Sequence, residues 1–163
     1  MGTIILKAPM KLKPTTHAKS QIAQNFYLKG KNFIIAAILL RQYRGNEYIV
    51  LHLLCQGIEI VLKALLLLKN FDAYNPRMKR NKNNCGFGHD LESLSTEVLS
   101  QFGLKPLRPA LATELNKLNI LYSNHLLRYY SPYDVLVDPS TIQSDLVLMR
   151  IRAAIRLTDA INR

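Results

Sequence analysis

Residues 48–68 read YIVLHLLCQGIEIVLKALLLL, an apolar run long enough to be mistaken for a membrane span. Its polar residues are His52, Gln56, Glu59 and Lys63, spaced by 4, 3 and 4 positions. On a helix that spacing lines up one narrow polar stripe on an otherwise apolar cylinder. Glu59 and Lys63 stand four apart, the favourable order for an ion pair along a helix. A charge held at mid-bilayer costs roughly 2.5–3.5 kcal/mol on insertion scales. The run therefore predicts a deeply packed helix at the centre of a soluble domain, with no membrane partner.

The neighbouring segments supply helices to pack around it. Periodicity predicts a first helix from Ala18 to Tyr43, with Ile22, Phe26, Phe33, Ala37 and Leu40 on its apolar face. Gly30 inside that helix costs about 1 kcal/mol relative to alanine, which implies a close helix contact there. Arg44-Gly45-Asn46 is a short turn, so the second helix, Glu47–Lys69, must run antiparallel to the first. A break from Phe71 to His89 holds Pro76, Gly86, Gly88 and a run of asparagines. Asp90 then caps a third helix ending at Phe102, with Gly103 beyond it. The fourth helix follows Pro109, carries Leu111, Leu115, Leu118 and Tyr122 at helical spacing, and stops before Pro132. Asp138-Pro139 opens a fifth helix that reaches Ile161. No strand pattern and no repeat stand out. The expected fold is all-α: an antiparallel up-and-down bundle of four to five helices spanning residues 18–163, behind an extension over residues 1–17.

Charge bears on partners. With 22 Lys and Arg against 11 Asp and Glu, the 163-residue chain carries a formal charge of +11. Such a surface attracts nucleic acid, nucleotides, anionic membrane or an acidic protein; it is also what a well-solvated basic protein carries. Lys7, Lys11, Lys13 and Lys19, then Arg77, Lys79, Arg80 and Lys82, then Arg150, Arg152, Arg156 and Arg163 form three basic groups. Cys55 and Cys85 do not make a disulfide framework. The first residues lack a secretory signal and a myristoylation motif, so a cytoplasmic location is expected.

Four segments occur in a telling order. Gln56 to Leu68 reads QGIEIVLKALLLL, Gly88 to Leu94 reads GHDLESL, Leu115 to Tyr122 reads LNKLNILY, and Leu127 to Pro132 reads LRYYSP. This succession resembles the HEPN superfamily of bacterial, archaeal and animal helical domains, over residues 20 to 160. There a Gln-x-x-Glu-x-x-Leu-Lys-Ala helix precedes a Gly-His-Asp-Leu helix start, and an Arg-Tyr pair follows the next helix. The resemblance implies a homodimer and one of two roles. One group acts as metal-independent ribonucleases, often toxins or defence effectors, through an arginine followed four to six residues later by a histidine. The other lacks that pair and is linked to nucleotide binding or to partnership with small nucleotidyltransferases.

The chain departs from the ribonuclease pattern. No arginine stands at the required distance before His17, His52, His89 or His125. Lys82 precedes His89, but lysine lacks the bidentate fork that grips phosphate. The expectation is therefore a non-catalytic module, without catalytic residues, that binds a nucleotide, RNA, a nucleotidyltransferase or an antitoxin. The alternatives are a ribonuclease toxin with a non-standard site at Lys82, His89 and Arg128, or a structural module that meets an acidic protein.

The candidate ligand-binding residues are Lys63, Lys82, His89, Arg128, Tyr129 and Tyr130. His89 with Asp90 reads either as a capped helix start or as an anion site, because free backbone N–H groups gather there. Arg128 with Tyr129, Tyr130 and Tyr133 reads either as a helix end or as a phosphate-and-base contact. The stripe of His52, Gln56, Glu59 and Lys63 reads either as a structural ion-pair seam or as a polar groove. No metal is expected: Cys85 and His89 are spaced like ligands, but no second pair completes the four a structural zinc needs. No cofactor is expected either; Gly86-Phe87-Gly88 lacks the residues that complete a phosphate-binding P-loop.

Overall fold

The structure, a computed structural model, describes residues 13–79 and 86–127, together with Ile155. Among these it is all helical: α1 (Thr16–Gln42), α2 (Glu47–Lys69), α3 (Phe71–Tyr74), a 3₁₀ turn (Asn75–Arg77), α4 (Leu91–Gln101) and α5 (Pro109–Ser123). The expected fifth helix, with Lys82, Arg128, Tyr129 and Tyr130, lies outside the described residues, apart from helical Ile155.

The apolar run behaves as its composition dictates. In α2, Val50, Leu51, Leu54, Cys55, Ile58, Val61 and Ala64 are buried, and α1, α4 and α5 pack around them. Among the described helices α2 alone is long and apolar enough to cross a membrane, yet 61% of that window is buried inside the protein.

Helix α1 differs from its expected phase. Ala23, Tyr27, Gly30, Ile34 and Ala37 are buried, whereas Ile22 and Phe26 are exposed and Phe33 is half-buried. The contact face is turned because small residues let the backbones approach. A Cβ on Gly30 would lie 2.9 Å from the Val61 nitrogen and 3.0 Å from the Gly57 oxygen. One on Gly57 would lie 2.5 Å from Ile34 Cγ1. The bulkiest residues sit beside this glycine crossing rather than in it.

Helix α1 also begins two residues before Ala18, with the Thr15 hydroxyl accepting from the Ala18 N–H at 3.2 Å, so His17 belongs to the bundle and not to an extension. Three helices end alike, with the second residue past the helix in the left-handed region: Arg44 (φ 56), Gly103 (φ 61) and His125 (φ 60). In each the following N–H reaches back to a carbonyl five residues earlier, as in Leu126 to Leu121 at 3.0 Å. Glycine takes that conformation freely; arginine and histidine do not.

The break after α2 is more ordered at both edges than its composition predicts. Asn70 caps α3 through its side chain, and Tyr74, Met78 and Phe87 join a second core with Leu66, Leu67, Leu94 and Val98. The Arg77 guanidinium lies over the Phe87 ring at 4.6 Å, and the Arg77 carbonyl accepts from the Phe87 N–H at 2.8 Å. The two edges are thereby drawn together.

Candidate polar site on the central helix

Half of the polar stripe of α2 is buried in the protein. Glu59 and Lys63 are each only 6% exposed. Lys63 Nζ donates to Glu59 Oε1 at 2.6 Å and to the Gly88 carbonyl at 2.6 Å. Glu59 Oε2 accepts from the Tyr122 hydroxyl at 2.6 Å and meets His89 Nδ1 at 2.9 Å. Two charges in a dry interior are tolerated only when the remaining lone pairs and protons are satisfied. Here α5 supplies a hydroxyl, and the turn before α4 supplies a carbonyl and an imidazole. Glu59 and Lys63, the buried half of the stripe, thus form an ion pair at a junction of three segments, while His52 and Gln56 are half-buried.

Local sequence explains how the partners arrive. Gly88 has φ 56, a conformation that suits glycine, at the turn whose carbonyl Lys63 reaches. Asp90 follows as the N-cap of α4, accepting from the Ser93 N–H at 3.0 Å. From α5, Asn119 accepts from the Leu91 N–H at 2.8 Å and donates to Asp90 Oδ1 at 3.2 Å. Asn119 and Tyr122, three apart on one face of α5, therefore hold both the start of α4 and the carboxylate of α2. Sequence reasoning placed Tyr122 on an apolar face and overlooked Asn119. Their i, i+3 spacing was visible, but nothing in it told where Glu59 would lie.

His89 is the part of this junction that reaches the surface, with its side chain 37% exposed. Tyr122 packs edge-on against it, the ring centroids 5.7 Å apart, and exposed His125 approaches to 5.3 Å. An ionised Glu59 at Nδ1 favours the proton on that nitrogen and leaves Nε2 as the atom able to accept a proton or, once protonated, to donate to an anion.

The Lys63 ammonium is buried and bonded to Glu59 and to the Gly88 carbonyl, so it ties α2 to the turn before α4. A cavity of about 380 Å³ opens between α4 and α5, bordered by Ser95, Leu99, Leu107 and Leu115, but none of the junction residues lines it. No cluster of three or more metal-binding side chains occurs among the described residues.

The electrostatics of Glu59 give a pH dependence. Burial pushes its carboxyl upward, but the charge and hydrogen bond of Lys63, with the bonds from Tyr122 and His89, outweigh this and leave it below its ordinary 4.5. A carboxylate lowered by folding stabilises fully above its unfolded value and loses that contribution as pH falls through the folded one. Stability measured by urea titration should therefore fall as pH drops below the ordinary 4.5 and through the lowered value of the folded protein. In a Glu59→Leu, Lys63→Met double variant the fall should be shallower, and an unchanged slope would assign it to other carboxylates. Cys55, near Glu59 in the same helix, is an inert thiol: burial foremost, and then the Glu59 charge, push it upward.

No family model, no curated protein and no solved structure matches this chain.

Proposed function

We propose that the chain is a non-catalytic, soluble, cytoplasmic module that binds an anionic ligand, a nucleotide or RNA, at the surface around His89. One observation carries this reading. A half-exposed imidazole is locked from behind by a buried carboxylate, in a chain of charge +11. The basic surface gathers phosphates in general; the oriented His89 gives them a particular place to bind. Lys63 and Tyr122 act as positioning residues, because they fix the Glu59 carboxylate that fixes the ring. The HEPN resemblance fits this role and adds a nucleotidyltransferase-type protein or an antitoxin as candidate partners. Lys82, Arg128, Tyr129 and Tyr130 remain its proposed ligand contacts beyond the described residues.

Fluorescence anisotropy with labelled RNA and with labelled nucleotide, at low salt, tests the proposal. His89→Ala should weaken binding about tenfold, as expected for loss of a charge-assisted contact of roughly 1.4 kcal/mol. Higher salt should weaken wild-type binding further. Absence of binding to either ligand at low salt would remove the proposal.

The same dyad favours one second reading, a metal-independent ribonuclease. A histidine with a carboxylate at Nδ1 is arranged for proton transfer at Nε2. RNA cleavage in the presence of a chelator, abolished by His89→Ala, would establish it.

A further inference from the structure

Beside His89 stands a second imidazole. His125 is exposed, and its ring lies 5.3 Å from that of His89 at an angle of 76°. The end of α5 fixes its place. There the backbone turns through the left-handed region at φ 60, and the Leu126 N–H reaches back to the Leu121 carbonyl at 3.0 Å. Leu127, two residues on, is buried and anchors the turn. Both imidazoles are thus carried by defined backbone, one between Gly88 and the cap of α4, the other in a helix terminus.

The groups around the pair favour an anion held by side chains. Lys63 balances Glu59, the carboxylate that meets His89 Nδ1. Asp90 accepts from the Ser93 N–H and from Asn119, at the end of α4 where the helix dipole favours its charge. Tyr122 packs on His89 from α5, and half-buried His52 lies 5.9 Å from the Tyr122 ring. Protonation of His89 and His125 adds two positive charges to this corner, while Glu59 is already matched by Lys63. The start of α4 does not compete for the anion with its backbone. The Leu91 N–H is bonded to Asn119, the Ser93 N–H to the Asp90 side chain, and the Leu94 N–H to the Asp90 carbonyl.

Two imidazolium rings side by side repel each other, and the kind of anion that offsets both is specific. A phosphodiester carries one charge. A phosphate monoester carries about −1.5 to −2 near pH 7 and has three acceptor oxygens, enough to bridge both rings. We propose that His89 and His125 together form a proton-gated site for a terminal phosphate, as on a mononucleotide or a phosphorylated RNA end. The proposal rests on the anion-binding reading above, and adds the second contact residue, the preferred phosphate and the control by pH. Imidazoles gain their charge between about pH 8 and pH 5, and the monoester loses its second charge below about pH 6. Affinity therefore rises as pH falls from about 8 and levels off near about 6.

Calorimetric titration of the full chain with AMP, and with cyclic AMP as a singly charged diester, tests this at constant ionic strength. AMP affinity should rise about tenfold from about pH 8 to about pH 6.5, with proton uptake read from the dependence of the heat on the buffer. Cyclic AMP should gain about threefold at most. His125→Asn, a residue that tolerates the left-handed backbone, should lose the preference for AMP and most of the pH dependence. His125→Arg should bind AMP more tightly than wild type at about pH 8, with a shallower pH profile, because its charge is permanent. Arginine fits there, since Arg44 takes the same conformation after α1 at φ 56. The Tm of both variants should match wild type, since His125 is exposed. Anisotropy with a short RNA ending in a 5′-phosphate or a 5′-hydroxyl separates the two sources. A preference for the phosphorylated RNA marks an RNA end as the ligand, and a preference seen only for AMP marks a free nucleotide. Equal binding of AMP and cyclic AMP, with equal binding of the two RNAs, would overturn the proposal and leave the anion-binding reading standing. So would a His125→Asn protein with the pH dependence of wild type. Failure of every probe to bind at low salt would remove both.

Discussion

Replacing Glu59 by alanine should destabilise the protein by about 3–5 kcal/mol, the usual result of leaving one buried charge without its partner. At this chain length that corresponds to a fall in Tm of roughly 10 °C. The loss is large because Glu59 serves three groups at once. Without it the Lys63 ammonium keeps the Gly88 carbonyl but loses its counter-charge, and the Tyr122 hydroxyl loses its bond to the carboxylate. Glu59→Leu combined with Lys63→Met should recover most of the loss, since apolar residues of similar volume often replace a buried pair at little cost. Adding Tyr122→Phe should recover more, by removing a buried hydroxyl whose lost bond to Glu59 costs about 1–3 kcal/mol. Urea unfolding of the three variants measures the series. If the single and the double variants prove equally unstable, the ion pair is not what holds α2 to α4 and α5.

The second large effect is expected at the glycine crossing. Gly57→Leu should cost more than about 3 kcal/mol, since added atoms in a close-packed contact force the backbones apart. Gly57→Ala is the more informative variant. Alanine gains about 1 kcal/mol of helix propensity over glycine, and at an open position it would stabilise. Here its Cβ would sit 2.5 Å from Ile34 Cγ1 and 3.0 Å from the Gly30 oxygen, so the net change should be a loss of about 1–2 kcal/mol. Gly103→Ala is the control. Nothing lies within 4 Å of its added Cβ, and only the left-handed φ of 61 opposes it, at about 1 kcal/mol. Thermal denaturation ranks the three, and a stabilised Gly57→Ala protein would show that α1 and α2 can separate freely.

Strong local signals made most of the helices readable. Helix α2 runs over the residues its apolar run and flanking turn indicate, and Asp90 and Gly103 bound α4 as a cap and a left-handed terminus should. Gly30 announced a close contact by being costly where it stands. The phase of α1 was not readable, because its two apolar rows are similar in strength. Which one is buried depends on Gly57 and Val61 of another helix. The order at the edges of the 71–89 break escaped notice for a related reason: Tyr74, Met78 and Phe87 are too widely spaced to show a period. At the site, His89, Glu59 and Lys63 each stood out in the sequence, but their meeting did not. It depends on Asn119 and Tyr122 of α5, which anchor a helix start and a carboxylate far away in the chain.

The short turn between α1 and α2 also bears on the order of assembly. Contacts between helices joined so closely form with little loop entropy, so this hairpin is the natural nucleus for folding. At that stage the Glu59–Lys63 pair is still in water and costs nothing to hold. Only when α4 and α5 dock do Gly88, His89 and Tyr122 close over it and the water leave. The His89 junction therefore exists only while α4 and α5 are docked, and a fluctuation that lifts either helix dismantles it.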